Sequence, residues 1–165
     1  MKKVLSCLAI GGIVLFTVGC GSDQLQEKKV YGEGYQILTC DLPQEEDNGA
    51  QATYLQIVRG DKEGKIVETS LNLEFDYTDT LKDDTSGVAK KTMHSGLNLM
   101  CDAFEKQGYF DCYYSADNYI YTVTMGMNVE DMFEEDGLKK DSSLEDIKKA
   151  LESQTELEVT NCVIK

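Results

Sequence analysis

Residues 65–77, KIVETSLNLEFDY, decide the fold. Val67, Thr69, Leu71, Leu73, Phe75 and Tyr77 alternate with Glu68, Ser70, Asn72, Glu74 and Asp76. Side chains of a strand point alternately to its two faces, so this period of two predicts a long strand with one buried and one wet face. A sheet wet on one side is antiparallel, because parallel sheets are covered on both sides.

Working outward, RGDKEGK (59–65) offers Gly60 and Gly64 for a hairpin turn that pairs the long strand with Ala52–Val58. Before that, YQILTCDL (35–42) reads as a strand with Leu38, Cys40 and Leu42 on one face, stopped by Pro43. PQEEDNG (43–49) is a turn-rich acidic loop. Downstream, DDTSG (83–87) supplies capping residues. Val88, Thr92, Leu97, Met100, Cys101 and Phe104 then recur at helical spacing until Gly108 ends the helix. Phe110–Tyr114 and Tyr119–Met127 predict a hairpin around Ala116, Asp117 and Asn118, with Tyr119, Tyr121, Val123, Met125 and Met127 on one face. Ser142 and Ser143 precede a second helix, with Glu145 and Asp146 in capping-box position and a stripe of Leu144, Ile147 and Leu151. A strand over 157–164 closes the chain. The predicted order is β-β-β-α-β-β-α-β: an α+β fold, an antiparallel sheet packed on one face by two helices.

The N-terminus is organised differently. After MKK, Val4–Gly19 is apolar apart from Ser6 and Thr17, and no acidic residue appears before Asp23. A positive start, a short apolar run and small residues at its end are the plan of a secretory signal. The run of 16 residues is shorter than the ~20 a membrane span needs. Thr17-Val18-Gly19-Cys20 is similar to the lipobox of bacterial lipoproteins, with Thr17 where Leu is usual. There the Cys thiol takes a diacylglycerol thioether and becomes residue one of the mature chain. Two acyl chains suffice for stable attachment where one does not. The expected organisation is therefore a signal peptide over 1–19, lipidated Cys20 with a tether over 20–34, and one domain over 35–165. Such a chain sits in the cell membrane by its lipid, on the extracytoplasmic face.

Without residues 1–19 the chain keeps 14 basic and 30 acidic residues, a formal charge of −16. That balance argues against a nucleic-acid partner and against docking on anionic lipid. Four cysteines remain besides Cys7 and Cys20: Cys40, Cys101, Cys112 and Cys162. Their wide spacing is unlike the close pairs of a zinc site, and an even number in an exported domain implies two disulfides. Three pairings exist. Cys101 and Cys112 flank Gly108 at distances that bring them together if the strand doubles back beneath the helix. That leaves Cys40 and Cys162, in the first and last strands.

Chemistry-bearing motifs are scarce. His94 is the one histidine, and Ser95 beside it diverges by about 100° on a helix, so they form no nucleophile–base pair. GEG at 32–34 lacks the third glycine of a dinucleotide loop. NVEDMFEEDG (128–137) fails as a calcium loop, because Met132 and Glu134 fall at ligand positions when Gly137 is the loop glycine. No metal or cofactor is expected. YFDCYYSADNYIY (109–121) holds five of the nine tyrosines. These either form cross-strand pairs or present a binding face, for which Tyr113, Tyr114 and Tyr119 are the candidates.

VGCGS (18–22), LTC (38–40), GDKEGKIVETSLNLEFDYT (60–78), MCDAFEKQGYFDC (100–112) and SLEDIKKALESQTELEVTNC (143–162) give the chain a layout that resembles small lipoproteins of low-GC Gram-positive bacteria, the YehR-like lipoproteins. The resemblance implies a lipid anchor and an antiparallel α+β fold, and it brings no catalytic residues. The expected function is a non-enzymatic, lipid-anchored binding domain. The alternatives are a carboxylate-dependent envelope hydrolase and an accessory subunit of a transporter or envelope complex.

Overall fold

The computed structural model describes residues 24–43, 49–60, 64–128, 138–139, 141–154 and 158–165. The signal peptide, Cys20, most of the acidic loop and the tested calcium loop lie outside the described residues. Six strands form one antiparallel sheet: β1 (Gln36–Asp41), β2 (Ala52–Arg59), β3 (Ile66–Asp76), β4 (Phe110–Asp117), β5 (Ile120–Gly126) and β6 (Thr160–Ile164). Their order across the sheet is β4-β5-β3-β2-β1-β6. Among the described residues three helices accompany it: α1 (Thr78–Leu81), α2 (Val88–Lys106) and α3 (Leu144–Ser153). The fold is mixed α+β. Its order differs from the expected one by α1, a single turn between the long strand and the long helix. The Asp76 carboxylate, accepting from the Thr78 amide at 2.7 Å, starts that turn.

Registers place Cys40, Leu55, Leu71 and Met125 in one cross-strand row, with Leu73 and Val123 opposite each other in the next. Two apolar clusters lie along these rows. One joins Leu38, Cys40, Leu55 and Ile57 to Leu144, Ile147 and Leu151 of α3. The other joins Leu71, Leu73, Phe75, Tyr114, Tyr121, Val123 and Met125 to Met93, Leu97 and Cys101 of α2. The α2 stripe is therefore Met93, Leu97 and Cys101, flanked by partly buried Met100 and Phe104. Val88, expected in it, is 65% exposed.

The disulfides staple each cluster. Cys40–Cys162 ties β1 to β6 with 4.1 Å between Cα atoms, and Cys101–Cys112 ties α2 to β4 at 5.2 Å. Strand β6 begins at Thr160, two residues after Glu158, whose left-handed backbone at φ 45° keeps it out of the ladder; residue 157, the expected start, lies outside the described residues.

Capping follows the sequence. The α3 N-cap is Ser143, whose Oγ accepts from the Asp146 amide at 3.1 Å and donates to the Asp146 carboxylate at 2.6 Å. Replacing Ser143 by Ala removes both bonds and is expected to lower stability by about 1 kcal/mol, read by urea denaturation. At α2, Gly87 takes the N-cap with φ 70°, and Asp84 supplies the acceptor, taking the Lys90 amide at 2.9 Å. That bond, and the Ser86 hydroxyl after it, hold the Asp84 carboxyl below its ordinary pKa.

The expected wet face is not wet. Glu68, Ser70, Asn72 and Glu74 do point away from the apolar clusters, but Ser70 and Asn72 are only 1% and 4% exposed. The reason lies in the segment before β1.

Candidate functional site

Residues 24–35 form a strap. Leu25 makes a parallel bridge to Tyr114 on the free edge of β4: the Gln26 amide donates to the Tyr114 carbonyl at 2.9 Å, and the Tyr114 amide donates to the Gln24 carbonyl at 3.2 Å. The Gln24 amide also donates to Asn98 Oδ1 of α2 at 3.2 Å. The chain next enters β1, four strands away. That is about 19 Å at 4.8 Å per strand, within the reach of ten extended residues. On the way Lys29 Nζ binds Glu68 Oε2 of β3 at 2.9 Å and lies 5.3 Å from the centroid of the Tyr113 ring. Tyr31 packs its ring against Tyr35 at 5.6 Å. Residues expected to be free tether from 24 onward are thus docked on the polar face of the sheet.

Beneath the strap, the strands contribute short hydrogen-bonding side chains. Asn72 and Thr124 face each other across the β3–β5 ladder; the Thr124 hydroxyl donates to Asn72 Oδ1 at 2.8 Å, and Asn72 Nδ2 donates to Ser70 Oγ at 3.2 Å. Ser115 of β4 and Thr122 of β5 form the next cross-strand pair, both buried. A core built of such groups survives burial because they satisfy one another.

Where the strap meets the ends of β3 and β5, a pocket of about 320 Å³ opens. Lys29, Glu68, Asp111, Tyr113 and Thr124 supply its polar wall, and Ile66 and Met127 its apolar wall. Two irregularities shape it. Between β2 and β3 the register slips, so that Val58 faces Glu68 and Arg59 faces Ile66, leaving Val67 as the extra residue. Between Phe110 and Tyr113 β4 slips against β5, and Asp111 there adopts φ of 50°.

Electrostatics follow burial and proximity. The Lys29 ammonium is held above its ordinary pKa, first by its bond to Glu68, against an opposing effect of burial. Burial pushes the Tyr113 phenol up, opposed by Lys29. Burial, then the nearby Glu68 carboxylate, pushes Tyr31 up well beyond the usual phenol range; its hydroxyl is buried without a well-directed partner. These phenols remain protonated at neutral pH and act as hydrogen-bonding and packing groups.

The three candidate tyrosines do not share a face. Tyr113 points to the polar face and is 6% exposed, Tyr114 points to the apolar clusters and is fully buried, and Tyr119, in the β4–β5 turn, is 40% exposed. Adjacent strand residues necessarily diverge, which separates the first two. His94 packs edge-on to Tyr114 and Tyr121, at 5.5 and 5.6 Å, with Nε2 3.3 Å from the Tyr121 hydroxyl. Ser95 Oγ donates instead to the Lys91 carbonyl at 3.0 Å. Among the described residues, no three His, Cys, Asp or Glu side chains are placed to hold a metal ion, and no helix is long and apolar enough to cross a membrane.

Sequence reasoning singled out Tyr113 but missed Lys29, Glu68 and Asp111. A signal was present: Ser70, Asn72, Ser115, Thr122 and Thr124 are uncharged, although a solvated face of three adjacent strands normally carries Lys and Glu. Comparison of the chain with protein-family models, with curated proteins and with solved structures finds no match.

Proposed function

We propose that this chain is a lipid-anchored, extracytoplasmic binding domain of the YehR-like type, which holds a small ligand in the pocket between strap and sheet and performs no chemistry on it. In this reading residues 1–19 are removed, Cys20 carries diacylglycerol, and the domain stands on the outer face of the cytoplasmic membrane. Both long helices, α2 and α3, cover the face opposite the strap, which leaves the polar face to the ligand. The observation that carries the reading is the pocket of about 320 Å³, a size suited to a small molecule, walled by hydrogen-bonding groups fixed on β3, β4 and β5. The lipobox-like Thr17–Cys20 and the pairing of four cysteines support the location.

Only three residues, 21–23, separate Cys20 from the docked strap, so the domain is held within about 14 Å of its lipid. The expected intact mass of the membrane-extracted protein is that of residues 20–165 plus the lipid, less four hydrogens for two bridges. Cys20→Ala is expected to release the protein from the membrane fraction. Recovery of the native chain from the cytosol with Met1 in place and its thiols reduced overturns the anchored reading.

A further inference from the structure

We propose that the pocket takes an alkylammonium group, and that Lys29 of the strap is its built-in competitor. The inference rests on the pocket being a binding site, as above, and names the class of its ligand. A carboxylate beside the face of an aromatic ring recognises an organic cation, through a charge-assisted hydrogen bond on one side and the ring quadrupole on the other. Glu68 and Tyr113 form that pair, and a primary ammonium already occupies it: Lys29 Nζ lies 2.9 Å from Glu68 Oε2 and 5.3 Å from the Tyr113 centroid.

The division between receptor and occupant is clear in the fold. Glu68 and Tyr113 stand on β3 and β4, the two strands that flank β5 in the sheet, with the Glu68 side chain 18% exposed, whereas Lys29 arrives on the strap with its side chain 49% exposed. An ion pair exposed to that degree contributes little, so an exogenous ammonium can displace it. The pocket continues past this pair. Ile66 and Met127 give it an apolar wall for an alkyl chain, and Asp111 offers a second carboxylate. Thr69, also in the lining and 3% exposed, holds its hydroxyl buried without a hydrogen-bond partner.

Charge argues for the same class. An anion entering would meet Lys29, but also Glu68 and Asp111. A neutral ligand would leave the carboxylate and ring face unused. The chain carries a formal charge of −14, a field that gathers cations and repels anions. The shared chemistry is a primary ammonium on an alkyl chain, whether a free diamine or the side chain of a lysine in a peptide.

The test is calorimetric titration of mature full-length protein with cadaverine and, separately, with an N-acetylated lysine amide; acetate, phosphate and glucose are the comparators. Amide and Tyr113 ring resonances followed by NMR place the ligand. Lys29→Ala removes the competitor and is expected to tighten cadaverine binding about tenfold, the gain when a site about nine-tenths occupied in cis is vacated. Adding Glu68→Gln to that variant is expected to weaken it by at least as much. Lys29→Met, which keeps the alkyl stem over the sheet, is the companion variant, and circular dichroism verifies each fold. Binding of the diamine alone assigns a free amine; equal binding of the lysine amide assigns a peptide side chain.

Unchanged amine affinity in both Lys29 variants overturns the proposal. So does binding of phosphate or acetate that needs Lys29, although the pocket then stands as a site for another class. If no ligand of any class moves the Tyr113 resonances, the binding reading itself falls.

Discussion

Removal of the Cys40–Cys162 bridge, as Cys40→Ala/Cys162→Ala, is expected to lower the unfolding free energy by about 4–5 kcal/mol and the melting temperature by roughly 15 °C. The magnitude comes from the span of the crosslink, which joins residues 122 apart. A closed loop of that length removes more denatured-state entropy than the other bridge, whose residues are 11 apart and whose loss is expected to cost about 3 kcal/mol. Both half-cystines of the long bridge lie in the cluster beneath α3, at 0% and 8% exposure, so the double replacement also trims packed sulfur from the core. Urea denaturation of the two double variants measures the difference. If the short bridge proves the costlier one, loop entropy is not what the long bridge contributes.

Tyr114→Ala is expected to cost about 3–5 kcal/mol, whereas Tyr119→Ala stays within about 0.5 kcal/mol. Tyr114 is fully buried, against the rings of His94 at 5.5 Å and Tyr121 at 6.4 Å, and its backbone holds the strap through two hydrogen bonds. The alanine variant keeps those backbone bonds and loses the ring, leaving a cavity between α2 and β5. Tyr119 lies in a turn and packs on nothing comparable. Thermal unfolding of the two variants separates the roles of residues only five positions apart. Equal effects would mean that the ring cluster contributes no more than a surface side chain does.

The sheet was legible because its evidence is local. Alternation from Val67 to Tyr77 needs no distant partner to be read, and its apolar half, Leu71, Leu73 and Phe75, is the half that joins the apolar cluster with α2. The helix caps at Ser143 and Asp84 are equally local. The strap was not legible, since LQEKKVYGEGY has no period of 2 or 3.6, and its place depends on contacts with Asn98, Tyr114 and Glu68, all distant in sequence. The site inherits that obscurity. Tyr113 stood out as one of a run of aromatics, but its partners Lys29 and Glu68 meet only after the strap crosses the sheet. The α1 turn escaped because four residues are too few to show a helical period. Val67 was assigned to the buried face, yet is 59% exposed, because the bulge at the β2–β3 junction reverses the alternation before it.

The last strand borders the first. β6 pairs with β1 between residues such as Leu38 and Ile164, so β1 stays bare along one flank until residues 160–164 have been made. Assembly of that edge of the sheet waits for residues 160–164, and a product truncated before Thr160 would expose an unmatched ladder of amides to neighbouring chains. Pairing a late segment with the earliest strand thus makes closure of this sheet edge the last step of its assembly.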